Sequence, residues 1–153
     1  MTRSYFKLIV IAALSLSMLF LSGCHAPKDL LKNCSTQGVR VFVLSDVDAN
    51  NLSFDNVKIL DALSMEIKAT GPCQVTVIGH ADNTGTSEVN EAVSAKRARM
   101  VAEHLKKRGI SNITTTWESY NHPVAGNDTA SGRAKNRRVE VYVSTIGKYN
   151  PYK

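Results

Sequence analysis

Apolar and polar residues alternate along "GVRVFVLSD" (38–46), a valine-rich run that predicts a strand. After the loop "DANNLS" the period changes. From Ser53 onward, Phe54, Val57, Leu60, Leu63 and Ile67 recur at three- and four-residue steps, the spacing of an amphipathic helix. Ser53 is placed to cap it and Gly71-Pro72 to stop it. "CQVTVIGH" (73–80) reads as a second strand. Residues 86–109 read as a longer helix: Thr86 or Ser87 caps it, acids come early, and Lys106, Lys107, Arg108 and Gly109 close it, as the helix dipole favours. "NITTTWES" (112–119) reads as a third strand, and "YNHPVAGNDTASGRAK" as a long loop holding a short helical turn. "NRRVEVYVS" (136–144) reads as a fourth strand with Val139, Val141 and Val143 on one face. The order βαβαββ implies an α/β (α+β) two-layer sandwich, a mixed sheet of about four strands with two main helices packed on it. The segments joining strands one to two and two to three are each long enough for a crossover.

The second helix breaks its own pattern. Every fourth residue gives Val89, Val93, Arg97, Val101 and Leu105, a row on one face. Four members are apolar and belong against the sheet; the middle one is a guanidinium. An unpaired buried charge is very costly. Arg97 therefore either snorkels, its stem covering apolar surface while its head reaches water, or points into a groove and binds a carboxylate. That carboxylate is Asp82 or one brought from outside.

The N-terminus sets the compartment. Arg3 and Lys7 form a short basic region, and Leu8 to Leu21 is an apolar run of about 14 residues, short for a membrane span and sized for a signal-peptide core. "LSGC" at 21–24 resembles the bacterial lipobox, in which the cysteine thiol is lipidated and the signal is cut just before it; a plain secretory signal cut after a small residue and a weak transmembrane anchor are the alternatives. The lipobox reading makes 1–23 a lipoprotein signal peptide, Cys24 the lipidated residue, 24–37 a polar tether, 38–146 one domain and 147–153 a C-terminal tail. Several acyl chains, at ~0.8 kcal/mol per buried methylene, hold a protein on a membrane essentially permanently. The residue after Cys24 is His25 rather than Asp, which by resemblance to enteric sorting favours the outer membrane, with the domain facing the periplasm. No nucleic-acid partner is expected of an exported lipoprotein. The formal charge of +6 falls to +4 without Arg3 and Lys7, leaving a mildly basic domain suited to a polyanionic envelope surface or an acidic ligand. With Cys24 lipidated, Cys34 and Cys73 remain. In an oxidising periplasm this even remainder suggests a disulfide, worth ~4 kcal/mol in the chain-entropy model; two free buried thiols are the alternative.

One short stretch carries the candidate chemistry: "GHADNTG" (79–85), a carboxylate between two glycines directly after an apolar strand. His25, His80, His104 and His122 show no metal spacing, Asp82 has no second carboxylate at a diagnostic distance, and "DNTG" supplies too few oxygens for a calcium loop. Catalysis, a metal and a cofactor are therefore not expected. Asp82 as a turn-former or cap for the following helix remains open, and that role is compatible with ligand binding.

"VIGHADNTG", "VNEAVSAKRARMVAEHL", "RGI" and "GRAKNRRVEVYV", in this order, resemble the OmpA-like peptidoglycan-binding domain family. Its spaced pattern is met by Asn90, Val93-Ser94, Arg97-Ala98, Val101 and Leu105, and its closing block by Gly132, Arg133, Ala134, Asn136, Arg137, Arg138 and Val139. The resemblance covers about 40 to 145. It implies a non-enzymatic domain that grips the peptide stem of peptidoglycan without covalent bonds, through diaminopimelate, whose free end carries an ammonium and a carboxylate. The family's binding Asp falls on Asp82, to accept from the ammonium, and its binding Arg on Arg97, to donate to the carboxylate. Asn90 and the backbone around Ala81–Asn83 are implied to add hydrogen bonds. One of Arg137 and Arg138 is implied to sit beside the site or to fix the last strand, structural ion pairing being the alternative for both. Asp46 and Asn50 are placed to line the ligand loop. The sequence departs from the family at Ser45, where an aromatic is usual, and at Trp117 and Ser119, where glycines are usual. An adaptor role in a secretion, conjugation or motor complex, using the same fold for protein docking, is the rival reading.

Overall fold

The computed structural model describes residues 39–70, 73–144 and 147–153. The expected signal peptide (1–23), the expected lipidation site Cys24, the expected tether (24–37) and Cys34 lie outside the described residues. The chain forms β1 (Val39–Leu44), α1 (Phe54–Thr70), β2 (Gln74–Gly79), α2 (Ser87–Lys107), β3 (Ile113–Trp117), α3 (Ala130–Asn136) and β4 (Val139–Ser144). The four strands and two main helices match the expected α/β sandwich. The expected turn before the last strand is a seven-residue helix, capped by Thr129, whose hydroxyl accepts from the Gly132 amide at 3.0 Å. The order is therefore βαβαβαβ. The last strand starts at Val139 because Asn136 and Arg137 are used to close α3.

The sheet runs β1-β4-β2-β3. β4 is antiparallel to both neighbours, and β2 is parallel to β3. The strands β1, β2 and β3 thus point one way, and their C-terminal ends gather at one pole beside the start of β4. Ser53 caps α1 as expected, accepting from the Asn56 amide at 3.2 Å. Thr86 caps α2, accepting from the Val89 amide at 3.4 Å.

Valines at 75, 77, 139, 141 and 143 face the helices and meet Leu60, Leu63, Ile67, Ala98, Val101 and Leu105 in one core. Each large side chain so buried contributes roughly 1.5–3 kcal/mol. The α2 stripe differs from the expected row at its start. Val89 is 52% exposed, and the buried face runs through Asn90, Ser94, Arg97, Val101 and Leu105. The cause is close packing: a Cβ on Gly79 would lie 2.0 Å from the Ser94 carbonyl oxygen, so α2 rests directly on β2 through small residues. The first turns of α2 then overhang the end of the sheet, where polar side chains suit the loops they meet.

On the opposite face of β4, Arg138, Glu140 and Tyr142 alternate with the core valines and are also buried. The C-terminal residues contribute to this face: the Tyr149 ring lies 5.5 Å from that of Tyr142, and the Tyr152 hydroxyl donates to Glu140 at 3.0 Å. Cys73 carries a free, buried thiol, 3.7 Å from the Thr70 hydroxyl. Its expected partner Cys34 lies outside the described residues. Among the described residues no helix is long and apolar enough to cross a membrane.

Candidate functional site

The site lies at the pole where β1 and β2 end. Leaving β1, Asp46 adopts a left-handed φ of 50°. This turn lets its amide bond to the Ala134 carbonyl at 3.1 Å and the Val47 amide to the Arg137 carbonyl at 2.9 Å. Val47 is fully buried and anchors the loop. Leaving β2, His80 donates its amide to Arg138 at 2.9 Å and Ala81 donates to Ser119 at 2.8 Å. Ser119, in one of the places where the resemblance expects glycine, has φ 51°, in the left-handed region that glycine favours. The long loop is held from behind by buried Asn136. Its side chain accepts from the Val124 and Ala125 amides at 2.9 and 3.1 Å and donates back to the Ala125 carbonyl at 2.8 Å.

Asp82 is 6% exposed. Its Oδ1 accepts from the amide of Thr84 at 3.0 Å and from the Thr84 hydroxyl, which makes it the turn-former of its own loop. Its Oδ2 accepts from Arg137 Nη1 at 3.0 Å. Burial alone would raise the carboxyl's pKa, but the Thr84 and Arg137 hydrogen bonds outweigh it and hold the group below its ordinary range. Arg137 also donates to Asp46 from Nη2 and Nε, at 2.6 and 3.1 Å. Arg137 therefore bridges the two acids, and these bonds, Asp46 first, raise its pKa. Of the two arginines left ambiguous by sequence, Arg137 sits in the site; Arg138 is on the opposite sheet face, bonded to Glu140 at 2.7 Å.

Arg97 neither snorkels nor pairs with Asp82. It is 6% exposed. Its Nε donates to the Val47 carbonyl at 2.5 Å and its Nη1 to the His80 carbonyl at 3.2 Å. Its Nη2 has no partner among the described residues. Burial, together with repulsion from Arg137, lowers the pKa of this guanidinium, while Asp82, Asp48 and Asp46 oppose that shift. The site thus holds a buried cation fixed by backbone carbonyls, beside a carboxylate already shared with a second cation.

The remaining expected residues divide. Asn90 is buried, and its Nδ2 has no hydrogen-bond partner among the described residues. Asn83 is exposed. Ala81 is buried, and its amide, expected to face a ligand, is committed to Ser119. Asn50 belongs to a side cluster, accepting from Lys96 at 2.7 Å and turned by Asp48 at 2.9 Å. Trp117 donates to Glu91 at 3.3 Å, and Arg99 lies 5.6 Å from its ring centroid. Sequence reasoning missed the carbonyls of Val47 and His80 and the role of Thr84. The backbone contacts leave no residue-type signal, whereas Thr84, two positions after an Asp, is a readable turn signature.

Comparison with known proteins gives the family. Peptidoglycan-binding protein ArfA of Mycobacterium tuberculosis is 39% identical over 99 residues, which cover 63% of this chain and 30% of ArfA, so this chain spans under a third of that relative's length. The putative lipoprotein YfiB of Escherichia coli is 30% identical over 155 residues, covering 89% of this chain and 97% of YfiB. The structure of the peptidoglycan-associated lipoprotein from Burkholderia pseudomallei superposes with a TM-score of 0.60 at 23% identity, over 72% of this chain and 93% of that one, a likeness of fold. Residues 46–137, more than half of the chain and the whole span from Asp46 to Arg137, match the OmpA family, and the chain belongs to that family.

Proposed function

We propose that this chain is an outer-membrane lipoprotein that binds peptidoglycan without covalent bonds, gripping the free end of diaminopimelate in the peptide stem. The observation that carries the reading is Arg97. A guanidinium is buried on the face of a helix, held by two carbonyls, and given no carboxylate of its own. Burying it is worthwhile where an anion arrives to meet Nη2. Asp82 is the matching acceptor for the ammonium of the same zwitterion, and Asn90 Nδ2 is a further donor in reach of the α2 start. Asp46 and Arg137 position Asp82 rather than take the ligand first. The names of the relatives ArfA and the peptidoglycan-associated lipoprotein point the same way. The site makes and breaks no bond; its role is to hold.

The lipid anchor belongs to the same proposal. Cys24 carries the acyl chains, the polar stretch 24–37 spans outward, and the domain meets the wall from the outer membrane.

Co-sedimentation with purified peptidoglycan tests the binding. Wild type sediments with the wall, while Asp82→Ala and Arg97→Ala stay in solution with unchanged far-UV circular dichroism. If wild type stays in solution, or if both variants sediment, the reading is wrong and a docking role takes its place. Incorporation of labelled palmitate into wild type but not Cys24→Ala tests the anchor.

A further inference from the structure

We propose that Tyr152, in the C-terminal segment, is a positioning residue for the ligand loop, acting through Glu140 and His80 on the carbonyl that holds Arg97. The proposal rests on the ligand-binding reading above.

His80 joins two faces of the protein. It is fully buried. On the site side its carbonyl accepts from Arg97 Nη1 at 3.2 Å, and Asp82 follows two residues later. On the other side its imidazole Nε2 lies 3.5 Å from Glu140 Oε2, and its ring meets that of Tyr152 edge-on, with centroids 5.5 Å apart at 76°. Neither ring nitrogen has a hydrogen-bond partner among the described residues. Packing and charge, not a directional bond, therefore set this ring.

Tyr152 supplies much of both. Its hydroxyl donates to Glu140 Oε2 at 3.0 Å, and its ring stacks on His122 with centroids 4.0 Å apart at 19°. The turn that returns it to the sheet is local: Asn150 Oδ1 accepts from the Tyr152 amide at 2.9 Å across Pro151. Glu140 is completed by Tyr142 at 2.8 Å on the same oxygen and by Arg138 Nε at 2.7 Å on the other. Tyr152 lies well beyond residue 137, where the match to the OmpA family ends, whereas Glu140 belongs to the strand that completes the sheet. The C-terminal segment thus reaches the back of the matched site.

A site for a small zwitterion needs Asp82 and Arg97 at a fixed separation, and shifts of about 1 Å are enough to weaken such a site strongly. Removing the Tyr152 ring opens the outer side of His80 to water. The groups facing His80 are Glu140 from β4, Arg138 just before it, His122 from the loop after β3, Tyr152 from the C-terminal segment, and Arg97 from α2 at its carbonyl. Burial holds its imidazole neutral, below the ordinary histidine range. With the cover gone, water and Glu140 favour protonation.

The test uses the full chain as wild type, Tyr152→Phe and Tyr152→Ala, with meso-diaminopimelic acid as the calorimetric probe. Tyr152→Phe keeps both ring contacts and loses the hydroxyl; Tyr152→Ala loses both. Affinity is expected to fall about tenfold in Tyr152→Ala and roughly two- to threefold in Tyr152→Phe. By NMR the His80 imidazole titrates at higher pH in Tyr152→Ala than in wild type, where burial keeps it below the ordinary histidine range. A role confined to stability would leave the affinity of the folded variants equal to that of wild type. Wild-type affinity in a folded Tyr152→Ala, or an unmoved His80, overturns the proposal. If Tyr152→Ala does not fold, Tyr152→Phe decides, and affinity equal to wild type overturns it. No binding by wild type overturns the ligand reading itself, and this proposal falls with it; normal wild-type binding with unaffected variants overturns this proposal alone.

Discussion

Asp82 and Arg137 stand 55 residues apart in sequence and meet at 3.0 Å, with Asp46 gripping the same guanidinium at 2.6 Å. On the proposed reading, a ligand ammonium would share Asp82 with a resident cation. The carboxylate must be charged to attract that ammonium, and its folded pKa lies below the ordinary value. Affinity for diaminopimelic acid should stay level as pH falls through the usual aspartate range and drop only below it. In Arg137→Ala the edge should move upward in pH, because one of the groups holding Asp82 ionised is gone. Calorimetric titrations between pH 3 and pH 7 check this; an edge at the same pH in both proteins contradicts it.

Arg97→Lys is not a conservative change here. The planar fork reaches two carbonyls from two of its nitrogens and still presents a third. A lysine has one nitrogen on a flexible stem. Wall binding is expected to fall by at least tenfold, while denaturant melts shift by about 1–2 kcal/mol, the cost of one weakened buried hydrogen bond. Loss of stability as large as loss of binding would mean that Arg97 is chiefly structural.

Gly79 is required by the approach of α2 to β2. An alanine Cβ would meet the Ser94 carbonyl oxygen at 2.0 Å, and that neighbour is backbone. Gly79→Ala should destabilise by about 3 kcal/mol, at the upper end of overpacking effects, and should weaken binding as well, since the same contact sets where Arg97 emerges. Urea melts and co-sedimentation together check both halves.

Glu140 predicts an acid limit. Burial would push its carboxyl up, but donation from Tyr142 and Arg138 and the nearby His80 outweigh this, lowering its pKa from 4.5 to about 2. A depressed folded pKa gives stability that is complete above the unfolded value and lost as pH falls through the folded one. Stability should therefore be level above about pH 5 and decline from there to about pH 2, by roughly 3 kcal/mol from this group. Glu140→Gln should flatten that decline and, by leaving Arg138 without a carboxylate, cost about 3 kcal/mol or more at neutral pH. Urea melts across this pH range decide.

The bridge expected between Cys34 and Cys73 can be tested directly. Val39 and Gln74 both register with Ser144, one on each side of β4, so β1 and β2 start level at the same pole. Cys73 precedes Gln74 directly, and Cys34 precedes Val39 by five residues, a reach of roughly 16 Å when extended. Protein taken from the periplasm should resist thiol alkylation at both cysteines until reduced, and reduction should lower its stability by about 4 kcal/mol. Labelling of both thiols without reductant would show that no bridge forms.

Four strands and two main helices were legible because their apolar periods are clean and their caps, Ser53 and Thr86, are of the usual types. α3 was underread because "ASGRAKN" has no apolar stripe: its buried members are Gly132 and Asn136, which serve backbone contacts rather than a hydrophobic face. The α2 row was read by strict i+4 steps, which put Val89 inward; the true face turns through Asn90 and Ser94 because Gly79 draws the helix close. Asp82 and Arg97 stood out because each broke a local pattern. Their partners did not. Arg97 is held by carbonyls, which every residue has, and Arg137 could be assigned only once α3 and β4 had a direction.

That direction has a mechanical meaning. β1 enters at one pole with Val39 and leaves at the other beside the loop whose Val47 carbonyl holds Arg97, paired with β4 through six successive registers. If the wall is held at the loops and the membrane pulls through the chain ahead of Val39, tension runs along β1. It then loads all six pairs in shear, together, rather than opening them one after another. On the proposed reading, β1 would be the load-bearing strand of an in-line coupling between wall and membrane.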